Sequence, residues 1–108
     1  FGALIANTDR HFGNLAFLDR YDGRFALAPV YDMLPMLFAP QNEQLTERAF
    51  VSPSPTSDTL RSWSSARAAA EDYWRRLSSD TRISASFQSI AAGCARSLLS
   101  LPRTGAYA

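Results

Sequence analysis

Eight residues near the start of the chain, Asn7-Thr8-Asp9-Arg10-His11-Phe12-Gly13-Asn14, put a carboxylate, an imidazole and an amide into one short stretch. They are answered by Ala28-Pro29-Val30-Tyr31-Asp32-Met33, whose carboxylate lies 18 residues beyond Asn14 and 23 beyond Asp9. Such a set suits phosphoryl transfer, which depends on positioning and charge neutralisation far more than on covalent chemistry. One carboxylate must stand beside the attacking hydroxyl. A second carboxylate and an amide oxygen must hold Mg²⁺, a hard ion that prefers oxygen ligands in near-octahedral geometry. Asp9 is the candidate for the hydroxyl side. Asn14 and Asp32 are the candidate Mg²⁺ ligands, and through the metal they would bind the nucleotide cofactor, ATP. The five-residue step from Asp9 to Asn14 equals the D-x-x-x-x-N step of the protein-kinase catalytic loop. Asn, Asp and His are also ordinary turn and capping residues, because their side chains bond nearby backbone groups. The matched Tyr31-Asp32 downstream weighs toward chemistry, whereas His11 taken alone reads as a structural hydrogen-bonding group.

Asp-Arg-His-x-x-Asn, in place of His-Arg-Asp, resembles the catalytic loop of the phosphatidylinositol kinases and of the bacterial HipA toxin kinases. With Leu27-Ala28-Pro29 and Tyr31-Asp32-Met33-Leu34-Pro35 following, the resemblance is closer to HipA. The run from Tyr31 to Pro40 further resembles a HipA-like subgroup with an N-terminal helix-turn-helix domain, described as transcriptional regulators. These specific matches cover residues 1 to 40, and the later part agrees only in being helical. Carried over, the resemblance makes Asp9 the catalytic aspartate, His11 a loop-orienting member of the catalytic pair, and Asn14 and Asp32 the metal ligands. It implies an ATP- and Mg²⁺-dependent Ser/Thr kinase in a toxin–antitoxin setting, with a DNA-binding antitoxin as partner. It also implies a protein substrate in translation, such as an aminoacyl-tRNA synthetase. Protein kinases follow the metal-binding Asp with Phe-Gly. Here Met33-Leu34 follows, which speaks against a switch of the Asp-Phe-Gly type and leaves the carboxylate's role intact.

A kinase also needs a phosphate loop and a Lys for the phosphates. This chain has no G-x-G-x-x-G, and all eleven of its basic residues are Arg. The expectation is therefore the C-terminal part of a larger kinase lobe, inactive by itself. A net charge of +1 supplies no strong field for nucleic acid or an anionic membrane. Arg75, Arg76, Arg82, Arg96 and Arg103 read as a solvated face, and DNA binding is expected only through an upstream domain or a partner. Cys94 is the sole cysteine and reads as a buried free thiol in a reducing compartment. No apolar run approaches the ~20 residues that span a bilayer. A cytoplasmic protein without membrane contact is the expectation.

The elements that must position these residues follow from pattern. The fold class expected is α+β, mainly helical: a kinase-like C-lobe fragment with a short β-hairpin and C-terminal helices. Its 108 residues form one domain, divided into a catalytic and metal segment (1–38), a loop (39–57) and a helical pair (58–101). That length is enough to bury about two-thirds of the unfolded surface. Phe1 to Ala6 reads as the last turns of a helix that Asn7 ends. Leu15–Leu18 and Arg24–Ala28 flank Asp22-Gly23, a turn signal because Gly accepts positive φ without steric cost. This predicts a hairpin that holds Asn14 at one end and delivers Asp32 past the other, its second strand stopped by Pro29. Met33, Met36, Leu37 and Phe38 read as core. Residues 39–57, with Pro40, Pro53 and Pro55, read as an irregular loop with a helical turn around Gln44–Arg48. Ser52, Ser54, Thr56 and Ser57 are hydroxyls there that can accept phosphate, though a plain surface loop is favoured.

Leu60, Trp63, Ala66, Ala70, Tyr73 or Trp74 and Leu77 recur at helical spacing. Ile83, Phe87, Ile90, Cys94, Leu98 and Leu101 do the same. Ser78-Ser-Asp-Thr81 supplies stop and N-cap chemistry between the two helices, and the tail from Pro102 is expected to fray. Alternatives from other classes are a kinase-fold regulator that binds DNA through an upstream helix-turn-helix, a lipid or small-molecule kinase, and a helical interaction module. Upstream sequence discriminates the first: a phosphate loop with a Lys favours the enzyme, a helix-turn-helix adds the regulator.

Overall fold

A computed structural model describes residues 1–45 and 48–101. The expected helical turn around Gln44–Arg48 falls partly, and the expected fraying tail wholly, outside the described residues. The architecture is α+β and mainly helical. A short 3-10 turn (Gly2–Ile5) leads through the loop to another (Phe12–Asn14), then to an antiparallel hairpin of β1 (Phe17–Asp19) and β2 (Phe25–Leu27). A third 3-10 turn (Met36–Phe38) precedes the irregular stretch, and a fourth (Leu60–Ser62) runs into α1 (Trp63–Ser79), followed by α2 (Ala85–Leu99).

The core sits where α1 and α2 meet the first and third 3-10 turns. Trp63, Ala70 and Trp74 of α1 and Ala91, Cys94 and Leu98 of α2 are buried against Leu4, Ile5, Ala6 and Phe38. The helical spacing in the sequence marks the inward faces from Trp63 to Leu98, except that Leu60 is exposed in the preceding 3-10 turn and Ala91, outside the expected stripe, is fully buried. Both Trp residues are packing groups. Arg67 is an exception to the apolar pattern: it is 8% exposed, with Nε donating to Glu71 Oε1 at 2.8 Å one turn along. Such a pair lets the aliphatic stem lie in the core while the charge is neutralised. The outward basic residues behave as a solvated face. Arg75 and Arg76 both pair with Asp72, and Arg82 pairs with Asp80.

The start of α2 differs from expectation. Its cap is Ser84, whose Oγ accepts from Phe87 N at 3.3 Å, three residues beyond the Ser-Ser-Asp-Thr run. Asp80 instead closes the connection, accepting from the backbone N and guanidinium of Arg82, while its carbonyl accepts from Gln88 Nε2 at 2.6 Å. Those bonds hold Asp80 at about pKa 2, the Arg82 side-chain hydrogen bond being the largest cause. The first segment likewise forms a single 3-10 turn. It ends in left-handed Ala6 (φ 61°), so Ala6, not Asn7, makes the reversal.

The hairpin forms with Phe17 opposite Leu27, Leu18 opposite Ala26 and Asp19 opposite Phe25. Gly23 adopts φ 80°, as the Asp-Gly signal requires, and Tyr21 is left-handed beside it (φ 63°). Asp19 and Asp22 cap the turn by accepting from Tyr21 N and Arg24 N. Ala28 N donates to Ala16 O at 2.8 Å, the last bond before Pro29 ends the ladder. Neither strand joins the core: Phe17, Leu18, Phe25 and Leu27 are all more than half exposed. The radius of gyration is 15.9 Å, against about 13 Å for a compact chain of this length.

Candidate active site

The loop that carries the candidate residues is anchored from below. Trp74, fully buried, donates Nε1–H to Leu4 O at 2.9 Å, fixing the first 3-10 turn to α1. The turn passes that constraint on, with Asn7 N donating to Gly2 O at 2.9 Å. Leu37 N donates to Ala6 O at 3.0 Å, tying the segment after Asp32 to the same place. Phe38 meets Trp74 and Phe87 edge-on at 6.2 Å, a favoured aromatic geometry.

Asn7 is the hub above this anchor. It is 3% exposed, and its Oδ1 accepts from Asp9 N at 3.0 Å while its Nδ2 donates to Met33 Sδ at 3.1 Å. The first bond is an Asx turn that sets the direction of the Asp9 backbone. Met33 is half-buried and meets the core, but its sulfur serves this bond. The side chain of Asn7 therefore works forward into the loop instead of back onto the preceding turn.

Asp9, His11, Asn14 and Asp32 line one cleft of about 370 Å³, with Tyr31 beside them. The four candidate site residues are thus brought to the same opening. Asp9 and His11 have side chains 60% and 54% exposed, with His11 Nε2 3.8 Å from Asp9 Oδ1. That spacing lets the imidazole orient the carboxylate electrostatically when protonated, without a direct hydrogen bond. The His11 ring lies over Gly13, where an added Cβ would meet Nδ1 at 2.9 Å. Asn14 Nδ2 donates to Asp9 O at 3.3 Å, which closes the five-residue step and leaves Oδ1 as the amide's ligand atom.

Two contacts escaped the sequence reading. Gly2 admits the Arg10 side chain: a Cβ there would lie 2.7 Å from Arg10 Cδ and 3.4 Å from Met33 Sδ. Tyr31 donates its hydroxyl to Gly13 O at 3.0 Å, spanning 18 positions. Nothing in spacing or composition marks either contact.

The donor set fits a hard cation. A carboxylate and an amide oxygen are oxygen ligands, and Mg²⁺ is commonly bound by one or two protein groups together with substrate phosphates and water. Among the described residues, no group of three or more His, Cys, Asp or Glu could hold a metal ion. No helix is long and apolar enough to cross a membrane among the described residues.

Comparison with known proteins shows the family of the chain. The chain is 41% identical over 92 residues to the toxin YjjJ of Escherichia coli (strain K12), covering 84% of this chain and 20% of that protein. It thus spans about a fifth of the relative's length. No solved structure matches at a significant level. A family model described as HipA-like C-terminal domain matches residues 1–98, from the first anchoring turn to the end of α2. The chain belongs to the HipA-like C-terminal domain family.

Proposed function

We propose that this chain carries the catalytic and metal-binding segment of a Ser/Thr protein kinase that uses ATP and Mg²⁺. The observation that carries the reading is the convergence of Asp9, Asn14 and Asp32 on one cleft from positions 23 residues apart in sequence. Asp9 orients the acceptor hydroxyl and takes its proton as the new oxygen–phosphorus bond forms. The bond between the γ-phosphorus and the bridging oxygen breaks, and ADP leaves with that electron pair. Asn14 and Asp32 hold the cation, and His11 orients the loop. When bound, Mg²⁺ neutralises charge on the nucleotide phosphates. Asp9 stands in an open, solvated position, which suits access by a hydroxyl on a macromolecule. A second cleft separates Asn7, Thr8 and Arg10 from the Ala49–Pro53 stretch, giving a protein substrate a surface beside Asp9.

The name of that relative, a toxin, supports a toxin role; a DNA-binding antitoxin as partner and a cytoplasmic setting are part of the same proposal. Any contact with DNA would run through that partner or another domain. The chain lacks the phosphate-binding Lys, so the reading assigns nucleotide phosphates partly to a separate lobe.

The test is phosphate incorporation from ATP and Mg²⁺ by the full-length protein, wild type against Asp9→Asn. Labelling of itself or of a lysate protein by wild type, lost by more than a hundredfold in Asp9→Asn, is the expected result. No labelling by either, with no detectable nucleotide binding, sinks the kinase reading and makes a DNA-binding regulator the working model.

A further inference from the structure

Asp32 has φ 54°, in the left-handed region. Residues with a Cβ visit this region rarely, Asp among the more tolerated, and they stay there only where the surroundings hold them. The hairpin does not do so, because its last bond is Ala28 N to Ala16 O, four residues earlier. The restraints are instead the two neighbours of Asp32. Tyr31 Oη donates to Gly13 O at 3.0 Å, and Met33 Sδ accepts from Asn7 Nδ2 at 3.1 Å. Both reach back to the catalytic loop, one to the residue before Asn14 and the other two residues before Asp9. Asp32 is therefore pinned on each side to the element that carries the other two site residues.

We propose that Tyr31 and Met33 are positioning residues that clamp Asp32 in this left-handed conformation and so set the spacing of the Asn14 and Asp32 metal ligands. The inference rests on the metal reading above and adds the device that makes it work. Asn7 contributes to both sides of it, directing Asp9 with Oδ1 and holding Met33 with Nδ2. Without the clamp, Asp32 relaxes to an ordinary negative φ and its carboxylate leaves the position it holds in the cleft shared with Asn14. The Tyr31 bond is solvent-exposed, so its removal should weaken the site without unfolding the chain.

Mn²⁺, an EPR-visible stand-in for Mg²⁺, is titrated into the full-length protein with a non-hydrolysable ATP analogue. Wild type is compared with Tyr31→Phe, Met33→Leu and Asp32→Asn, the last keeping a side chain that tolerates left-handed backbone. Thermal melting and Mg²⁺-dependent turnover are recorded in parallel. The expectation for Tyr31→Phe and for Met33→Leu is a Mn²⁺ affinity about tenfold weaker, the low end for lost outer-shell support. Melting should be unchanged in Tyr31→Phe and should fall in Met33→Leu, which leaves the buried Asn7 amide without its acceptor; kcat should recover at saturating Mg²⁺ in both. Wild-type Mn²⁺ affinity in both clamp variants, with loss in Asp32→Asn, overturns the clamp and leaves the metal reading standing. Wild-type affinity in Asp32→Asn overturns both. A fall in kcat at saturating Mg²⁺ with unchanged Mn²⁺ affinity also overturns the clamp, because it places Tyr31 or Met33 in the chemical step instead.

Discussion

Replacing Trp74 by Phe removes one hydrogen bond and part of one ring at the point where the helices grip the catalytic loop. The indole is fully buried, and so is Leu4, whose carbonyl accepts its N–H at 2.9 Å. A buried carbonyl left without a donor costs about 1–3 kcal/mol. Phe also vacates space beside Phe38 and Phe50, both about 6.2 Å away between ring centroids. Full truncation of a buried Trp to Ala costs ~3–5 kcal/mol, and Phe keeps most of that packing, so the packing loss adds about 1 kcal/mol. The expected total is roughly 2–4 kcal/mol, a large part of a typical net stability of about 5–15 kcal/mol. At about 4–8 °C per kcal/mol for a domain near this size, melting should fall by at least about 8 °C. Urea unfolding of the 108-residue chain, followed by far-ultraviolet circular dichroism, measures it. Hydrogen exchange at Ala6 and Asn7, whose amides donate within the anchored turn, should speed up with it. A loss below about 0.5 kcal/mol with unchanged exchange would refute the view that α1 holds the loop through Leu4.

Gly13→Ala forces the His11 ring to move, since the new Cβ would sit 2.9 Å from Nδ1; phosphate transfer should fall severalfold while urea stability changes by less than about 0.5 kcal/mol. Burial pushes the Cys94 thiol up to about 11 from an ordinary value of 9.0. The unfolded chain therefore loses this proton first, and stability falls as pH rises from about 9 toward 11; Cys94→Ala should flatten that part of the curve, and thiol reagents should label the native chain slowly. Asp80 shows the opposite sign. Its pKa is lowered to about 2 from 3.8 by the hydrogen bonds from Arg82, so its contribution is present above about 4 and lost as pH falls toward 2. Arg82→Gln should raise the Asp80 pKa in an NMR titration. Ser84→Ala removes the cap on α2 and should cost about 1 kcal/mol in urea.

Several parts of this protein are legible from local chemistry. The α1 and α2 stripes are visible because helical burial repeats every three to four residues, and the buried positions follow it from Trp63 to Leu98. The hairpin is visible because Asp22-Gly23 and Pro29 act on their own backbone. The candidate site is visible because the D-x-x-x-x-N step and the later Asp are short-range and type-specific, and the cleft assembles all four named residues. The cap on α2 is less legible. Several Ser, Thr and Asp residues between the helices can cap, and the packing of Phe87 against Phe38 favours the one that works, Ser84.

What tertiary structure alone decided are contacts between segments that no periodicity links. Trp74 is 70 positions from the Leu4 carbonyl, Asn7 is 26 from the Met33 sulfur, and Tyr31 is 18 from the Gly13 carbonyl. The burial of Arg67 beside Glu71 is marked by nothing in the sequence and follows from the core around it. The left-handed backbone of Asp32 is equally hidden, because Asp carries no intrinsic demand for positive φ, and only the bonds on either side hold it there. Residue type and spacing thus determined which groups can do chemistry. The packing of distant backbone carbonyls, sulfur and aromatic rings determined how those groups are held, because each such bond depends on where two remote parts of the chain come to rest.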